Sequence, residues 1–293
     1  MKFSVITPSF NQLDYLKRCV ASVADQEGVS VEHIVMDGGS TDGTVEFLKE
    51  HLANSSELKA NGYSFSYASE KDDGMYDALN KGFGRASGEL LAWLNCDEQY
   101  LQGALDMAKD FFKDQPKVDL LNGDALVVDP AGALLGFWKS MPLRKRYLDG
   151  GYLYNLSCAM FFRKTILSEG VLFDASFKAA GDQELVVRLL KKGARSRVMR
   201  EYFSAYTFAP ENLSEQGFAK AEQAKLQNQT FGRGFSPRSV LRAMRRGERL
   251  LRGCLRQKFP LEYSLYLNGG ERRESFTSDR VSPQWPGARS KHG

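Results

Sequence analysis

Apolar positions in the first half of the chain alternate between two spacings, one typical of strands and one typical of helices. Residues 3–7 form a short β-rich run, and apolar side chains then recur three and four residues apart over 14–24. A second apolar run, 33–36, ends at Asp37. Strands that alternate with helices in this way predict βαβ units and a mainly parallel sheet.

The alternation continues and then becomes mixed after Val118. The pattern predicts strands at 63–68, 89–94, 120–128, 134–138 and 158–162, and helices from Thr44 to His51 and at 75–85, 101–112 and 182–191. We therefore expect an α/β fold with helices on both faces of its sheet. In such sheets, ligands bind beyond the carboxyl ends of the strands.

Composition narrows the class of protein without identifying a function. The hydrophobic fraction of 42% and charged fraction of 26% exclude collagenous and wholly disordered chains. We find no apolar stretch of eighteen uncharged residues, and the apolar run before Pro8 is too short for a signal sequence, so we expect a cytoplasmic protein. Four cysteines without CxxC spacing are expected to be reduced thiols.

Charge divides the chain into an acidic body and a basic end. Residues 233–293 hold 14 Lys+Arg against 5 Asp+Glu, a net +9, which leaves 26 against 31, or −5, for residues 1–232. We predict one domain over 1–232, a basic amphipathic helical extension over 233–270 and a disordered tail over 271–293.

The basic extension has one apolar helical face over 238–256. Leu241, Met244, Leu251 and Leu255 share that face and arginines surround it, as in helices that lie in an anionic membrane interface. A helix that packs on the body of the protein is the alternative. Nucleic-acid binding is disfavoured because aromatic side chains are not interleaved with the basic ones.

Two segments place carboxylates directly after predicted strands. Asp37 opens a glycine-rich turn, 37–44, where a carboxylate can accept hydrogen bonds from a ribose or a base; a turn capped by Asp42 is the alternative. Asp97 and Glu98 follow the buried run 90–94, and two adjacent carboxylates favour a bound Mg²⁺ or Mn²⁺. An ordinary acidic turn is the alternative there.

Two further acidic segments surround predicted helix starts. Residues 69–77 contain four carboxylates, at least one of which we expect to cap a helix. Asp182 and Glu184 open the helix at 182–191, where a carboxylate can deprotonate an acceptor hydroxyl, or can simply complement the helix N-terminus.

Taken in order, these motifs resemble the family 2 glycosyltransferases with the GT-A fold over roughly residues 3–215. The segment 4–11 is similar to the family's first strand and nucleotide loop, and 37–44 to its second. The segment 69–82 is similar to a form found in bacterial exopolysaccharide and colanic-acid-type transferases.

The resemblance implies a role for each matching residue. It implies that the nucleotide is held by Thr7, Pro8, Asp37, Asp72 and Asn95. The resemblance also implies that Asp97, helped by Glu98, holds a divalent cation and that Asp182 is the general base, with Glu184 in reserve. The sequence departs from the family twice, because Asn95 stands at the first acidic position of the DXD motif and Gly181 replaces the acid before Asp182.

The implied activity is inverting transfer of a sugar from a nucleotide sugar to a hydroxyl of a glycan or lipid-linked acceptor in polysaccharide biosynthesis. UDP is the nucleotide that the resemblance favours, with GDP and TDP left open. A non-catalytic sugar-nucleotide or glycan-binding module is the alternative, because of Asn95 and Gly181. A dinucleotide-binding oxidoreductase is rejected because the glycines of 82–88 are spaced GxGxxxG and end a helix.

Overall fold

The computed structural model describes residues 1–58, 62–149, 153–167, 172–209, 221–226, 238–267, 269 and 271–281. Within these residues one mixed sheet runs through the body, with strand order β3-β2-β1-β4-β8-β6-β9-β5 and β7 beside β6. A separate two-stranded hairpin follows near the end of the chain.

The first half of the body is a parallel α/β unit, as the alternation predicts. Its strands are β1 (Lys2–Ser9), β2 (Ser30–Asp37), β3 (Tyr63–Ser69) and β4 (Leu90–Trp93), and its helices are α1 (Leu13–Ala24), α2 (Thr44–Leu58) and α3 (Met75–Arg85). β1 pairs in parallel with both β2 and β4, and β2 with β3. The carboxyl ends of these four strands therefore lie next to each other at one edge of the sheet.

The second half is mixed, as expected after Val118. It consists of β5 (Glu98–Tyr100), α4 (Ala104–Asp114), β6 (Leu120–Val128), β7 (Leu134–Trp138), α5 (Lys145–Asp149), β8 (Met160–Arg163), α6 (Gly181–Lys191) and β9 (Ser196–Thr207). β8 is antiparallel to β4 and β6, whereas β9 is parallel to β6 and antiparallel to β5. Three of these elements, β5, α5 and β9, were not predicted from the pattern.

Side chains on the two faces of the sheet form two separate cores. Val5 belongs to the core under α1 and α4, while its neighbour Ile6 belongs to the core under α3 and α6. Successive residues of a strand point to opposite faces. Because both faces are covered, the central strands are apolar almost throughout, and Trp93 stacks on Phe162 with ring centroids 5.4 Å apart.

The C-terminal part contains the predicted helix and an unpredicted hairpin. Helix α7 covers Arg238–Leu251, and β10 (Leu261–Tyr266) pairs antiparallel with β11 (Arg273–Ser278). The disordered tail predicted from 271 is therefore wrong for β11, whose Arg273 bonds the carboxylate of Asp25 and the carbonyl of Tyr100. Residues 282–293 and the proposed boundary near 232 lie outside the described residues.

None of the helices in the described part of the chain has the length and apolarity needed to cross a lipid bilayer.

Candidate active site

Four polar or exposed segments meet where the parallel strands end. In the spatial order of the strands, they are the turn after β3 with Asp72, the end of β2 with Asp37, the loop after β1 with Phe10, and the turn after β4 with Asn95. The sheet topology thus brings together the segments that the sequence places at strand ends.

Two loops beside each other form one side of this site. The carbonyl of Ser9 accepts the N–H of Gly38 at 2.8 Å, and the amide oxygen of Asn11 accepts the N–H of Thr41 at 2.9 Å. Asn11 has a positive φ of 50°, a conformation that asparagine tolerates better than most residues. Its own N–H donates to the hydroxyl of Ser40 at 2.7 Å. The loops after β1 and β2 are therefore one hydrogen-bonded unit.

Asp37 shapes the second of these loops. Its carboxylate accepts the N–H groups of Gly39 and Ser40 and the hydroxyls of Ser40 and Ser69, and only 2% of the residue is exposed. These partners belong to the protein, so in this conformation Asp37 holds the turn and does not face an open ligand space. Asp42, the alternative cap, accepts the N–H of Leu13 at the start of α1.

Thr7 lies behind the site, where the resemblance implied a residue lining the base pocket. It is fully buried, and its hydroxyl is 2.9 Å from Nε2 of His33. Burial lowers the pKa of His33 to about 3, which keeps the imidazole neutral. Pro8 is also buried, and its carbonyl accepts the thiol of Cys96. Both residues therefore support the loop from the core side.

Asp72 and Phe10 lie on the open side of the same loops. One oxygen of Asp72 accepts the N–H of Gly74 at 2.9 Å and closes the turn before α3; the expected carboxylate cap is not formed, because the N-cap residue is Gly74 and it has no side-chain cap. A Cβ built on Gly38 would lie 3.0 Å from the other oxygen of Asp72 and 3.3 Å from the ring of Phe10. Phe10 is 62% exposed. A side chain at position 38 would crowd the space between this carboxylate and this ring.

Asn95 and Asp97 place an amide and a carboxylate at the end of β4. The side-chain oxygen of Asn95 is buried and has no hydrogen-bond partner. Burial raises the pKa of Asp97. No group of three or more His, Cys, Asp or Glu side chains in the described ranges is arranged to hold a metal ion. The turn therefore offers one carboxylate and one amide oxygen, a set that suits Mg²⁺ or Mn²⁺ shared with phosphate oxygens.

Glu98 lies in the same turn and bonds its backbone. Its carboxylate accepts the N–H of Asn95 at 2.8 Å, and only 2% of the residue is exposed. Burial, and then the charge of Asp97, raise its pKa well above the usual range. Glu98 thus closes the turn that carries Asn95 and Asp97, and its help in holding a cation stays a prediction.

Asp182 reaches the site from the N-terminus of α6. Its carboxylate accepts the N–H of Gln183 at 2.7 Å, and its own N–H donates to the hydroxyl of Tyr76 at 3.3 Å. Burial raises the pKa of Asp182 to about 6. The bond to Tyr76 holds the N-terminus of α6 against the first turn of α3, next to the turn that follows β3.

Local packing explains why position 181 is a glycine and not an acidic residue. A Cβ built on it would be 2.7 Å from Cε2 of the Tyr76 ring, closer than real contacts allow. Tyr76 is 2% exposed and stacks on Phe173, with ring centroids 5.1 Å apart. The acid that the family motif carries before Asp182 therefore does not fit beside this tyrosine. Nothing in the sequence pattern predicted the contact.

Glu184, the reserve base, is already paired. Arg188 donates to both of its oxygens, at 3.0 and 2.6 Å. Glu184 also lines a separate pocket of about 430 Å³ together with Lys145 and Asp149. The structure therefore separates Glu184 from Asp182, and the i,i+4 spacing to Arg188 was a signal for this pairing that the sequence already contained.

Comparison with known proteins identifies the family. Residues 4–170 match the model of Glycosyl transferase family 2. "Uncharacterized glycosyltransferase Rv1514c" of Mycobacterium tuberculosis is 33% identical over 197 residues, which cover 63% of this chain and 67% of that protein. "Putative teichuronic acid biosynthesis glycosyltransferase TuaG" of Bacillus subtilis is 26% identical over 222 residues, covering 75% of this chain and 84% of that protein.

A solved structure has the same fold. S. aureus TarS 1-349 in complex with UDP-GlcNAc superposes with a TM-score of 0.58 and 17% identity, covering 96% of this chain and all of that one. This similarity confirms the expected GT-A architecture of the α/β sheet. With the match of the family model to more than half of its length, the chain belongs to glycosyl transferase family 2 and is a glycosyltransferase.

Proposed function

We propose that the protein is an inverting transferase that moves a sugar from a UDP-sugar to a hydroxyl group of a glycan or lipid-linked acceptor. The observation that carries this proposal is the position of Asp182, half-buried at the N-terminus of α6, where its N–H donates to the hydroxyl of Tyr76 just after the turn that contains Asp72. The name of TuaG, which refers to teichuronic acid biosynthesis, supports polysaccharide biosynthesis as the setting.

The nucleoside binds against the two loops after β1 and β2. Thr7, Pro8 and Asp37 give these loops their shape from within. The exposed ring of Phe10 offers a flat apolar surface for a base, and the second oxygen of Asp72 offers an acceptor for an N–H or hydroxyl of the nucleoside. Phe10 is not among the residues that the motifs singled out.

A divalent cation, Mn²⁺ or Mg²⁺, fits the turn after β4. The residues that would hold it are Asp97 and, through its unpaired oxygen, Asn95. When bound, such a cation stabilises negative charge on a departing diphosphate. Two protein ligands are few, so we expect the cation to bind together with the nucleotide and not before it.

Asp182 is the general base of the reaction. Its carboxylate takes the proton of the acceptor hydroxyl while that oxygen forms a bond to the anomeric carbon, and the bond from this carbon to the diphosphate oxygen breaks. A pKa raised to about 6 makes the carboxylate a stronger proton acceptor than an ordinary aspartate, while it remains mostly ionised at neutral pH.

The test compares Asp182→Asn with Glu184→Gln. We expect Asp182→Asn to keep the thermal shift caused by the UDP-sugar but to lose transfer and donor hydrolysis. Glu184→Gln, two residues away and paired with Arg188, should keep turnover. Full turnover by Asp182→Asn would contradict the assignment of the base. Donor binding by the wild-type protein without any turnover would favour the binding-module alternative.

The site of action is the inner face of the plasma membrane. We propose a cytoplasmic enzyme, with no nucleic-acid partner, whose basic segment 238–256 meets the anionic lipid surface near a lipid-linked acceptor. The net charge of +9 over residues 233–293 supports an anionic partner for this end of the chain.

A further inference from the structure

Exposed apolar side chains are concentrated on α7 and the turn after it. Among the described residues, eight large hydrophobic side chains are exposed, and five of them lie between positions 240 and 255. They are Val240, Met244, Leu250, Leu251 and Leu255. Leu251 is 88% exposed, so the body of the protein leaves it in solvent. A patch of this kind marks an interaction surface.

Two arginines of the same helix, Arg245 and Arg249, face inward. The guanidinium of Arg249 lies 4.2 Å from the ring centroid of Trp138, and that of Arg245 lies 5.7 Å from the ring of Tyr154. Only 6% of Arg245 is exposed. Guanidinium groups stack on aromatic faces, so cations contact the body where a typical surface helix would present leucines.

An ion pair holds the helix in this orientation. Glu248 accepts hydrogen bonds from Arg144 at 2.9 to 3.1 Å and from the hydroxyl of Tyr147 at 2.9 Å. The bond to Arg144 lowers the pKa of Glu248 to about 2. Turning the helix to bury its leucines would break this pair and both cation–π contacts.

The helical repeat puts the apolar side chains opposite these contacts. At 100° per residue, Val240, Met244 and Leu251 lie within about 40° of one another, and Arg249 is about 180° from Val240. We call the surface of Val240, Met244, Leu250, Leu251 and Leu255 the outer face of α7. The sequence alone predicts a packing helix or a membrane helix; in the structure one face packs on the body and the opposite face is exposed.

We propose that the outer face of α7 inserts into the interface of an anionic membrane while the inner face stays packed on the body. Arg246 is exposed beside Leu250, and Arg256 is exposed just beyond the helix. This arrangement of leucines with flanking cations complements a surface of apolar chains under anionic headgroups. The proposal rests on the proposed membrane location and deepens it: the docking helix is part of the folded body, so docking also sets the orientation of the active site.

The experiment is vesicle sedimentation of the full chain. We expect pelleting with vesicles of phosphatidylcholine and phosphatidylglycerol, and much less with phosphatidylcholine alone. Leu250→Ser/Leu251→Ser should weaken binding about tenfold, because burial of leucine side chains contributes to interfacial binding. Leu52→Ser is the matched control, since Leu52 is also an exposed leucine but lies on α2.

A second pair of variants tests the charges. Arg246→Gln/Arg256→Gln should weaken binding to the anionic vesicles, whereas Lys113→Gln/Lys117→Gln, with the same charge change on an exposed part of the body, should not. Each variant is also tested for the UDP-induced thermal shift, so that loss of the fold or of the donor site is distinguished from loss of docking.

Three outcomes would overturn the proposal. The wild-type chain would stay in the supernatant with anionic vesicles, or Leu250→Ser/Leu251→Ser would pellet as well as the wild type. In the third outcome, the wild-type chain would self-associate in light scattering without binding vesicles, and Leu250→Ser/Leu251→Ser would abolish the self-association. The outer face would then bind a second copy of the chain.

Discussion

Replacing Gly181 by alanine tests whether packing against Tyr76 explains the missing acid of the base motif. The added Cβ would be 2.7 Å from the ring, about 0.7 Å short of the 3.4 Å at which ordinary contact begins. The ring has no free direction in which to move, because it is buried and stacked on Phe173. Overpacking of this kind costs about 1–3 kcal/mol, and we expect a loss of that size in the free energy of unfolding.

Gly84→Ala is the matched control. Gly84 also lies in a helix, α3, but a Cβ built on it meets nothing within 4 Å. Alanine favours a helix over glycine by up to about 1 kcal/mol, so this variant should be neutral or more stable. Urea unfolding of both variants and the wild type gives the comparison. A Gly181→Ala protein within about 0.5 kcal/mol of the wild type would refute the packing argument.

The same substitution should also affect the chemistry. Because the N–H of Asp182 donates to the Tyr76 hydroxyl, a displaced ring moves the proposed base. We therefore expect the transfer rate of Gly181→Ala to fall more than its affinity for the donor nucleotide. Equal losses of rate and affinity would indicate general damage to the fold.

Three further predictions concern the site and the C-terminal helix. Asp97→Asn should keep a UDP-induced thermal shift but lose the part that depends on Mn²⁺; an unchanged metal-dependent part would exclude Asp97 as a ligand. The transfer rate should decrease as the pH falls through about 6, because Asp182 must be ionised to accept a proton, and a flat profile through this region would contradict that role. Glu248→Gln should lower the free energy of unfolding at neutral pH by about 1–3 kcal/mol. Since the folded pKa of Glu248 is lowered to about 2 from 4.5, this stabilisation is present above 4.5 and is lost as the pH falls through about 2, so the two proteins should become equally stable in strong acid.

The fold and the location of the site could be predicted because both follow from periodicity. Parallel strands end at one edge of a sheet, so Asp37, Asp72 and Asp97 could be assigned to a common site before any coordinates. The direction in which each side chain points could not be predicted. The strands of this sheet are buried on both faces, so the pattern around Thr7 gave no indication that its hydroxyl turns towards His33 and away from the ligand side.

The orientation of α7 could not be predicted from the sequence for a different reason. Helical spacing identifies an apolar face and a basic face, but it does not say which of the two meets the body. That choice depends on Trp138 and Tyr154, which lie about a hundred residues earlier in the chain and accept the arginines. The hairpin of β10 and β11 was missed because its strands are half polar and short, and part of its support is the contact of Arg273 with Asp25.

The two departures from the family pattern have separate physical explanations, and neither requires the loss of activity. Gly181 leaves room for the buried ring of Tyr76, whose hydroxyl accepts the N–H of Asp182. Asn95 stands beside two carboxylates whose pKa values are already raised, first of all by burial. An aspartate at position 95 would add a third negative charge to this turn, whereas the amide supplies an oxygen atom without that charge. A site built in this way has little attraction for a free cation, so the proposed dependence on metal should be strongest when the diphosphate is present to complete the ligand set.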